Sequence, residues 1–292
     1  MATADFDWVI QMVDIYQMVT DRVLRVLETG HIPWKKPWNT SWPSNIVTKK
    51  QYQGINMMLL SCTEYDQPFW CTFRQANQLG GSIIRGEKAV SFVVFAKDVV
   101  YIKKDEEGNE IPKRGFVLKY SPVFNIEQTT GIEMPVTIEV EVIEAEEYLE
   151  RAKAKPMIRY GGDRAFYYPE GDCIQLPLKS QFTSSQGYYE TFFHEIGHWT
   201  GQSSRLNRNL CTEQTARARE ELTAEMFAGF CLHKVGVNSD INNVAAYIQS
   251  WIRALENDKK ALLWASREAR KAVQYFESGI IPDSIILSIN NN

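Results

Sequence analysis

Residues 194–198 read His-Glu-Ile-Gly-His, and this pentapeptide constrains the fold more than any other stretch of the chain. On a helix, histidines four residues apart turn both imidazoles to one side, where together they can hold one metal ion. Glu195, next to the first histidine, then lies beside that ion and can take a proton from a water. Only four histidines occur in the 292 residues (His31, His194, His198 and His233), so half of them fall at ligand spacing.

A catalytic zinc takes a third protein ligand and keeps one position open. Residues 220–228 read Glu-Glu-Leu-Thr-Ala-Glu-Met-Phe-Ala, and Glu221 lies 23 residues after His198, room for one loop and a returning helix. Glu225 follows four residues later on the same helical face. One carboxylate of such a pair can ligate while the other orients a ligating histidine from behind. On its own, a glutamate pair at this spacing is more often a solvated face. The neighbouring His-Glu-Ile-Gly-His, flanked by Phe192, Phe193, Ile196 and Trp199, raises it to a candidate metal site. The expected site is one zinc per chain on His194, His198 and a carboxylate of the Glu221/Glu225 pair, with Glu195 as general base. Glu220 is the rival third ligand, and manganese or cobalt are alternative metals. The group that would stabilise an oxyanion is open among Tyr188, Tyr189, Arg219 and His233.

The rest of the pattern predicts an α+β chain of two domains, residues 1–135 and 136–292. An amphipathic helix is expected over Trp8–Leu27, stopped by Gly30 and Pro33. A short helix follows at Ile55–Ser61, and a second is capped by Thr72 and ended by Gly80-Gly81. Ala89–Ile102 and Gly115–Ile126 read as a strand and its return across the turn at 105–109. A Glu/Lys/Ala-rich helix ends before Pro156. Ala165–Tyr168 and Cys173–Pro177 flank a turn and predict a hairpin. Helices are expected at 187–200, 216–235, 241–254 and 256–277, with a disordered tail at Asn290–Asn292. No run of eighteen apolar residues exists, and the first thirty residues carry four aspartates, so neither a membrane span nor a secretory signal is expected. Five scattered cysteines without a CxxC pair point to reduced thiols and a cytoplasmic location.

Charge is uneven along the chain. Residues 31–104 carry ten Lys/Arg against four Asp/Glu, although the net charge of the whole chain is −4. Four tryptophans fall in the same segment. A positive groove tracks a phosphate backbone, and aromatic rings stack on unpaired bases. The candidates are Trp34, Lys35, Lys36, Trp38, Trp42, Lys49, Lys50, Tyr52, Arg74, Arg85 and Lys88. The competing reading is ordinary surface lysine, with tryptophans folded down onto a core.

The metal motif resembles the zincin metallopeptidases whose third ligand is a glutamate on a following helix. Glu221-Leu-Thr-Ala-Glu225 is similar to their ExxAD pattern, with Glu in place of the final Asp. That resemblance implies Glu221 as ligand, Glu225 behind it, and a preceding edge strand that pairs with an extended substrate. The N-terminal motifs, Gly30-His-Ile-Pro-Trp-Lys-Lys-Pro-Trp38, Tyr52-Gln-Gly-Ile-Asn56, Trp70-Cys-Thr-Phe-Arg-Gln-Ala76 and Gly86-Glu-Lys88, resemble ArdC-type antirestriction proteins. The same domain fronts TraC-type plasmid primases. Asp172-Cys-Ile-Gln-Leu-Pro177 and His194-Glu-Ile-Gly-His-Trp-Thr-Gly201 are similar to the metallopeptidase half of those proteins. The resemblance implies a single-stranded DNA-binding domain joined to a zincin domain, carried by a mobile element and protecting incoming DNA from restriction. Its partners would be single-stranded DNA and a protein substrate, such as a host restriction component. Two readings follow: a DNA-associated zinc peptidase, or a non-catalytic DNA-coating protein whose metal is structural. A metal-dependent nuclease is disfavoured, because such sites use Asp-rich two-metal clusters.

Overall fold

The computed structural model of the chain describes residues 14–34, 42–104, 106–134, 144–208, 214–237 and 244–282. Helix α1 (Ile15–Glu28) opens it, its N-terminus capped by the Asp14 carboxylate, which accepts from the Gln17 N–H. The buried stripe Ile15, Val19, Val23 and Leu27 has the helical period and packs against C-terminal helices described below. Strand β1 (Ser44–Asn45), helix α2 (Ile55–Ser61), strand β2 (Phe69–Cys71) and helix α3 (Phe73–Gln78) follow. All of α2 is buried, as its apolar run requires. Thr72 caps α3, as the sequence predicts, and Gln75 completes a full capping box with it. After strand β3 (Ser82–Ile83) come the two longest strands, β4 (Ser91–Lys104) and β5 (Glu110–Asn125), then β6 (Thr129–Thr130). The main sheet has the order β1-β2-β5-β4, and β3 pairs with β6.

The second half begins with helix α4 (Ala145–Arg151) and a three-stranded sheet of β7 (Met157–Tyr160), β8 (Phe166–Tyr168) and β9 (Cys173–Leu176) in the order β7-β9-β8. β8 and β9 form the expected hairpin, and β8 is an edge. Four helices complete the fold: α5 (Ser185–Thr200), α6 (Gln214–Lys234), α7 (Val244–Asn257) and α8 (Ala261–Ser278). α5 packs on α6, and α6 on α8. α1 lies on α7 and α8, so one hydrophobic core runs from Ile15 to Phe276. The architecture is α+β and two-part. The boundary placed at 135/136 lies outside the described residues.

Several elements depart from expectation. β5 starts at Glu110 rather than Gly115 and contains Pro112. Outward of Phe124 it pairs, among the described residues, only with β4, so Pro112 costs no ladder hydrogen bond to a described strand on its other side. α7 runs on to Asn257, and α8 starts only at Ala261, because the Asp258 carboxylate turns the chain by accepting from the Lys260 N–H. β7, which pairs parallel to β9, was not anticipated. Residues 1–13, which include the expected helix start at Trp8, and the tail at 290–292 lie outside the described residues. Cys71, Cys173 and Cys231 are buried thiols, and Cys62 is half-buried.

Candidate metal centre

The site is built where α5 crosses α6. Ser184 caps α5 by accepting from the Gly187 N–H, and Phe192, Phe193, Ile196 and Trp199 bury its inner side. At the crossing, a Cβ added to Gly197 would stand 2.8 Å from the Cα of Ala224, closer than side chains pack. The glycine inside the motif therefore lets α6 approach close enough for its carboxylates to meet the α5 histidines.

His194 Nε2 and His198 Nε2 lie 3.0 Å apart, and Glu221 Oε2 lies 3.6 Å and 3.5 Å from them. Metal–ligand bonds of about 2.1 Å in a tetrahedron set ligand atoms about 3.4 Å apart, so the triangle fits one small divalent ion. Among the described residues this trio is the one cluster of His, Cys, Asp or Glu able to hold a metal. Two nitrogens and one carboxylate oxygen suit zinc, and also manganese.

Each imidazole is held from behind by another carboxylate. Glu225 Oε1 lies 3.5 Å from His194 Nδ1, and Glu220 Oε1 lies 3.3 Å from His198 Nδ1. Glu220, the rival third ligand, thus stands behind His198 rather than in the ligand triangle. It is held there by Arg208, whose Nε and a terminal nitrogen each donate at 2.8 Å. The same guanidinium donates to the Gly197 carbonyl at 2.6 Å and to Thr200 Oγ1 at 3.0 Å, tying the end of α5 to α6. Arg208 and Glu220 are both buried, so each neutralises a charge that would otherwise be stranded. Sequence reasoning missed Arg208, which lies in the loop after α5 and belongs to no motif. Burial works against a charged His198, but Glu220 and Glu221 outweigh it and raise the imidazole to about 10. The His194 and His198 imidazoles hold the Glu221 carboxyl well below its ordinary range. Burial pushes Glu220 upward, yet Arg208 and then His198 bring it below its ordinary value.

Glu195 is buried on the same wall but stands outside the ligand trio. Its Oε2 accepts from the Tyr167 N–H of β8 at 2.7 Å. Arg205 braces β8 and its turn: it donates to Asp172 through both terminal nitrogens, to the Tyr167 hydroxyl and to the Trp199 carbonyl. Asp172 is held below the usual carboxylate range, first by Arg205 and then, against burial, by Tyr167. A cleft of about 500 Å³ opens over the site, lined by Ala165, Phe166, Tyr167, Pro169, His194, Glu195, His198, Arg217, Glu220 and Glu221. None of Tyr188, Tyr189, Arg219 and His233 lines it. Tyr188 and Tyr189 pack in the core, Arg219 pairs with Asp258, and His233 lies edge-on to Trp42. Arg217 is the cation at the cleft.

Residues 13–124 match the family model of the N-terminal domain of anti-restriction factor ArdC, and residues 143–268 match that of a zincin-like metallopeptidase. Crystal structures of the antirestriction ArdC protein from plasmid R388 superpose on the chain at 34% identity. The Mn(II)-bound form gives a TM-score of 0.70, covering 91% of this chain and 97% of that one. The metal-free form gives 0.71, covering 92% and 99%. The chain belongs to the ArdC antirestriction family. Protein y4eC of Sinorhizobium fredii (strain NBRC 101917 / NGR234) is 30% identical over 285 residues, covering 91% of this chain and 92% of that protein. A DNA primase TraC of Escherichia coli is 34% identical over 279 residues, 88% of this chain. This ArdC relative spans only 26% of that primase and 20% of a second one.

The ArdC N-terminal half places its DNA-binding candidates unevenly. Trp34 is fully buried and edge-on to Trp251, and Tyr52 is buried with its hydroxyl accepting from Asn45 Nδ2. Neither ring offers a face to a base, because core packing claims both. Trp42 is half-buried and donates to the Tyr52 carbonyl. Lys49, Lys50, Arg74, Arg85 and Lys88 are exposed. Lys35, Lys36 and Trp38 lie outside the described residues. No helix among the described residues is long and apolar enough to cross a membrane.

Proposed function

We propose that this ArdC-family chain is a single-stranded DNA-binding antirestriction protein of a mobile element, acting in the cytoplasm, with a zinc-dependent peptidase site. One observation carries the peptidase reading. Glu195 shares the open cleft with His194, His198 and Glu221 yet stands outside the ligand trio, and a structural metal site needs no such carboxylate. The metal, when bound by the trio, supplies Lewis acidity toward a carbonyl and acidifies a water. Glu225 and Glu220 fix the two imidazole planes from behind. Glu195, steadied by the Tyr167 N–H, takes the proton of the attacking water and passes it to the leaving amine. Arg217 is the group at the cleft suited to a developing oxyanion. The exposed Lys49, Lys50, Arg74, Arg85 and Lys88 supply charge toward the phosphate backbone, while Trp34 and Tyr52 serve the core.

The test compares wild type with Glu195→Gln and His194→Ala for metal content by elemental analysis, cleavage of restriction-enzyme subunits, and protection of transferred DNA. Glu195→Gln is expected to keep its metal and lose cleavage, and His194→Ala to lose both. Protection that survives both changes would remove peptidase action from the antirestriction mechanism and leave DNA binding to carry it.

A further inference from the structure

The β4–β5 hairpin is longer than the sheet that roots it. β2 pairs with β5 only at Phe124 and Asn125; further out, among the described residues, β4 and β5 pair with each other alone. The register is unbroken from Ser91↔Val123 to Lys104↔Glu110, so paired residues share a face and the faces alternate strictly along the arm. At the root both faces are covered. Val93 and Val123 pack with Tyr52, Leu60 and Trp70, while Val94 on the other face joins the main core.

Beyond the root the two faces differ in chemistry. One carries Lys97, Lys103, Lys113 and Lys119, with Phe95 and Tyr101 among them, and no acidic residue. The strand acids Asp98 and Glu110 fall at register positions of the opposite face, which also carries Lys104, Arg114, Val100, Ile102 and Phe116, so that face mixes both signs of charge while the first carries cations alone. All four lysines are exposed, and none joins a salt bridge among the described residues. From Lys119, opposite Phe95, to Lys103 they extend over about 27 Å of strand. Tyr101 is half-exposed, and its ring lies over Gly115, where an added Cβ would stand 2.9 Å from it. The fold does not demand this sorting, since mixed charges across the strands would stabilise the ribbon better. An extended row of cations with an aromatic ring among them matches a phosphate backbone whose bases are free to stack.

We propose that this lysine face of the hairpin is the surface on which single-stranded DNA lies, with the four ammonium groups tracking phosphates and Tyr101 stacking on a base. The assignment rests on the single-strand-binding reading above and moves its centre from the tryptophan-rich loop to the arm. Because the ring must meet an open base face, the occupant is a single strand rather than a duplex.

The test uses the full chain and a fluorescent dT20 oligonucleotide, with anisotropy read between 50 and 200 mM salt. Four neutralised phosphates contribute about −2.8 to the slope of log affinity against log salt, or about 50-fold over that range. The variant carrying Lys97→Gln, Lys103→Gln, Lys113→Gln and Lys119→Gln is expected to lose that share of the slope. Tyr101→Leu is expected to weaken binding roughly tenfold with the slope unchanged. Val100→Ser with Ile102→Ser, on the opposite face, is expected to bind as wild type, and circular dichroism checks that each variant is folded. Wild type that binds while the four-lysine variant keeps its slope would overturn the hairpin assignment alone. Wild type that binds no dT20 overturns both this and the single-strand reading. An acidic polypeptide bound as tightly as dT20, with Tyr101→Leu inert, would make the face a protein-docking surface and overturn the nucleic-acid assignment.

Discussion

Replacing Gly197 with alanine separates local from tertiary energetics at the metal centre. Taken alone, the change favours the helix: alanine gains up to about 1 kcal/mol over glycine in a helix interior. The crossing opposes it. The new Cβ would stand 2.8 Å from Ala224 Cα and 3.2 Å from both its Cβ and its carbonyl oxygen. Two of these atoms are backbone and cannot rotate away, so restoring a 3.4 Å contact parts α5 from α6 by about 0.6 Å. Overpacking of this kind costs about 1–3 kcal/mol, leaving a net loss of about 0–2 kcal/mol after the helix gain. The displacement falls directly on the site, because His198 adjoins Gly197 and Glu221 lies one turn before Ala224. Metal sites tolerate about 0.2 Å in ligand position, so metal affinity is expected to fall about tenfold or more. Urea unfolding of the chelator-treated protein reads the first effect, and competition of zinc against a chromophoric chelator reads the second. Adding Ala224→Gly is expected to recover only part of the loss, because the shortest contact is to the Cα. A variant that gains about 1 kcal/mol and binds zinc as wild type would show slack at the crossing and refute the close-approach reasoning.

Arg208→Met is expected to cost about 3–5 kcal/mol in urea unfolding, because it strands the buried Glu220 carboxylate, and to weaken zinc binding by freeing the His198 ring. A loss under about 1 kcal/mol would mean that Glu220 finds water or another partner in the variant. Protons and metal compete for His198. Its folded-state value of about 10 lies above the ordinary 6.5, so the proton's contribution to the stability of the chelator-treated protein is complete below pH 6.5 and disappears as pH rises through 10. The urea midpoint of that protein should therefore decline across this window while apparent zinc affinity climbs. His198→Gln should flatten the decline, and an equal slope in that variant would assign it to another group.

How far local pattern reached depended on the range of each interaction. The Thr72-capped helix, the β8–β9 hairpin and the motif helix rest on contacts within a few residues, and all three form much as their sequence predicts, the motif helix starting two residues earlier, after the Ser184 cap. The aromatic candidates for DNA binding show the limit. Trp34 sits in a stretch whose composition suggests a stacking loop, but its ring fills the space beside Trp251, more than two hundred residues away. The lysines of the hairpin arm were equally visible as residues, but their common face depends on a register of fourteen pairs, which no single strand reveals.

The pentapeptide determined by itself that two imidazoles would converge, because an i, i+4 spacing on a helix is a local fact. It carried Glu195 with it for the same reason. Which carboxylate would join them was decided only by the tertiary structure. Glu220 and Glu221 are neighbours on α6, about 100° apart around its axis, and either could have faced the histidine pair. The crossing at Gly197 turns Glu221 toward the two Nε2 atoms, and Arg208 draws Glu220 behind His198 Nδ1. That choice belongs to the packing of two helices and to one buried arginine, so the sequence of α6 alone could not make it.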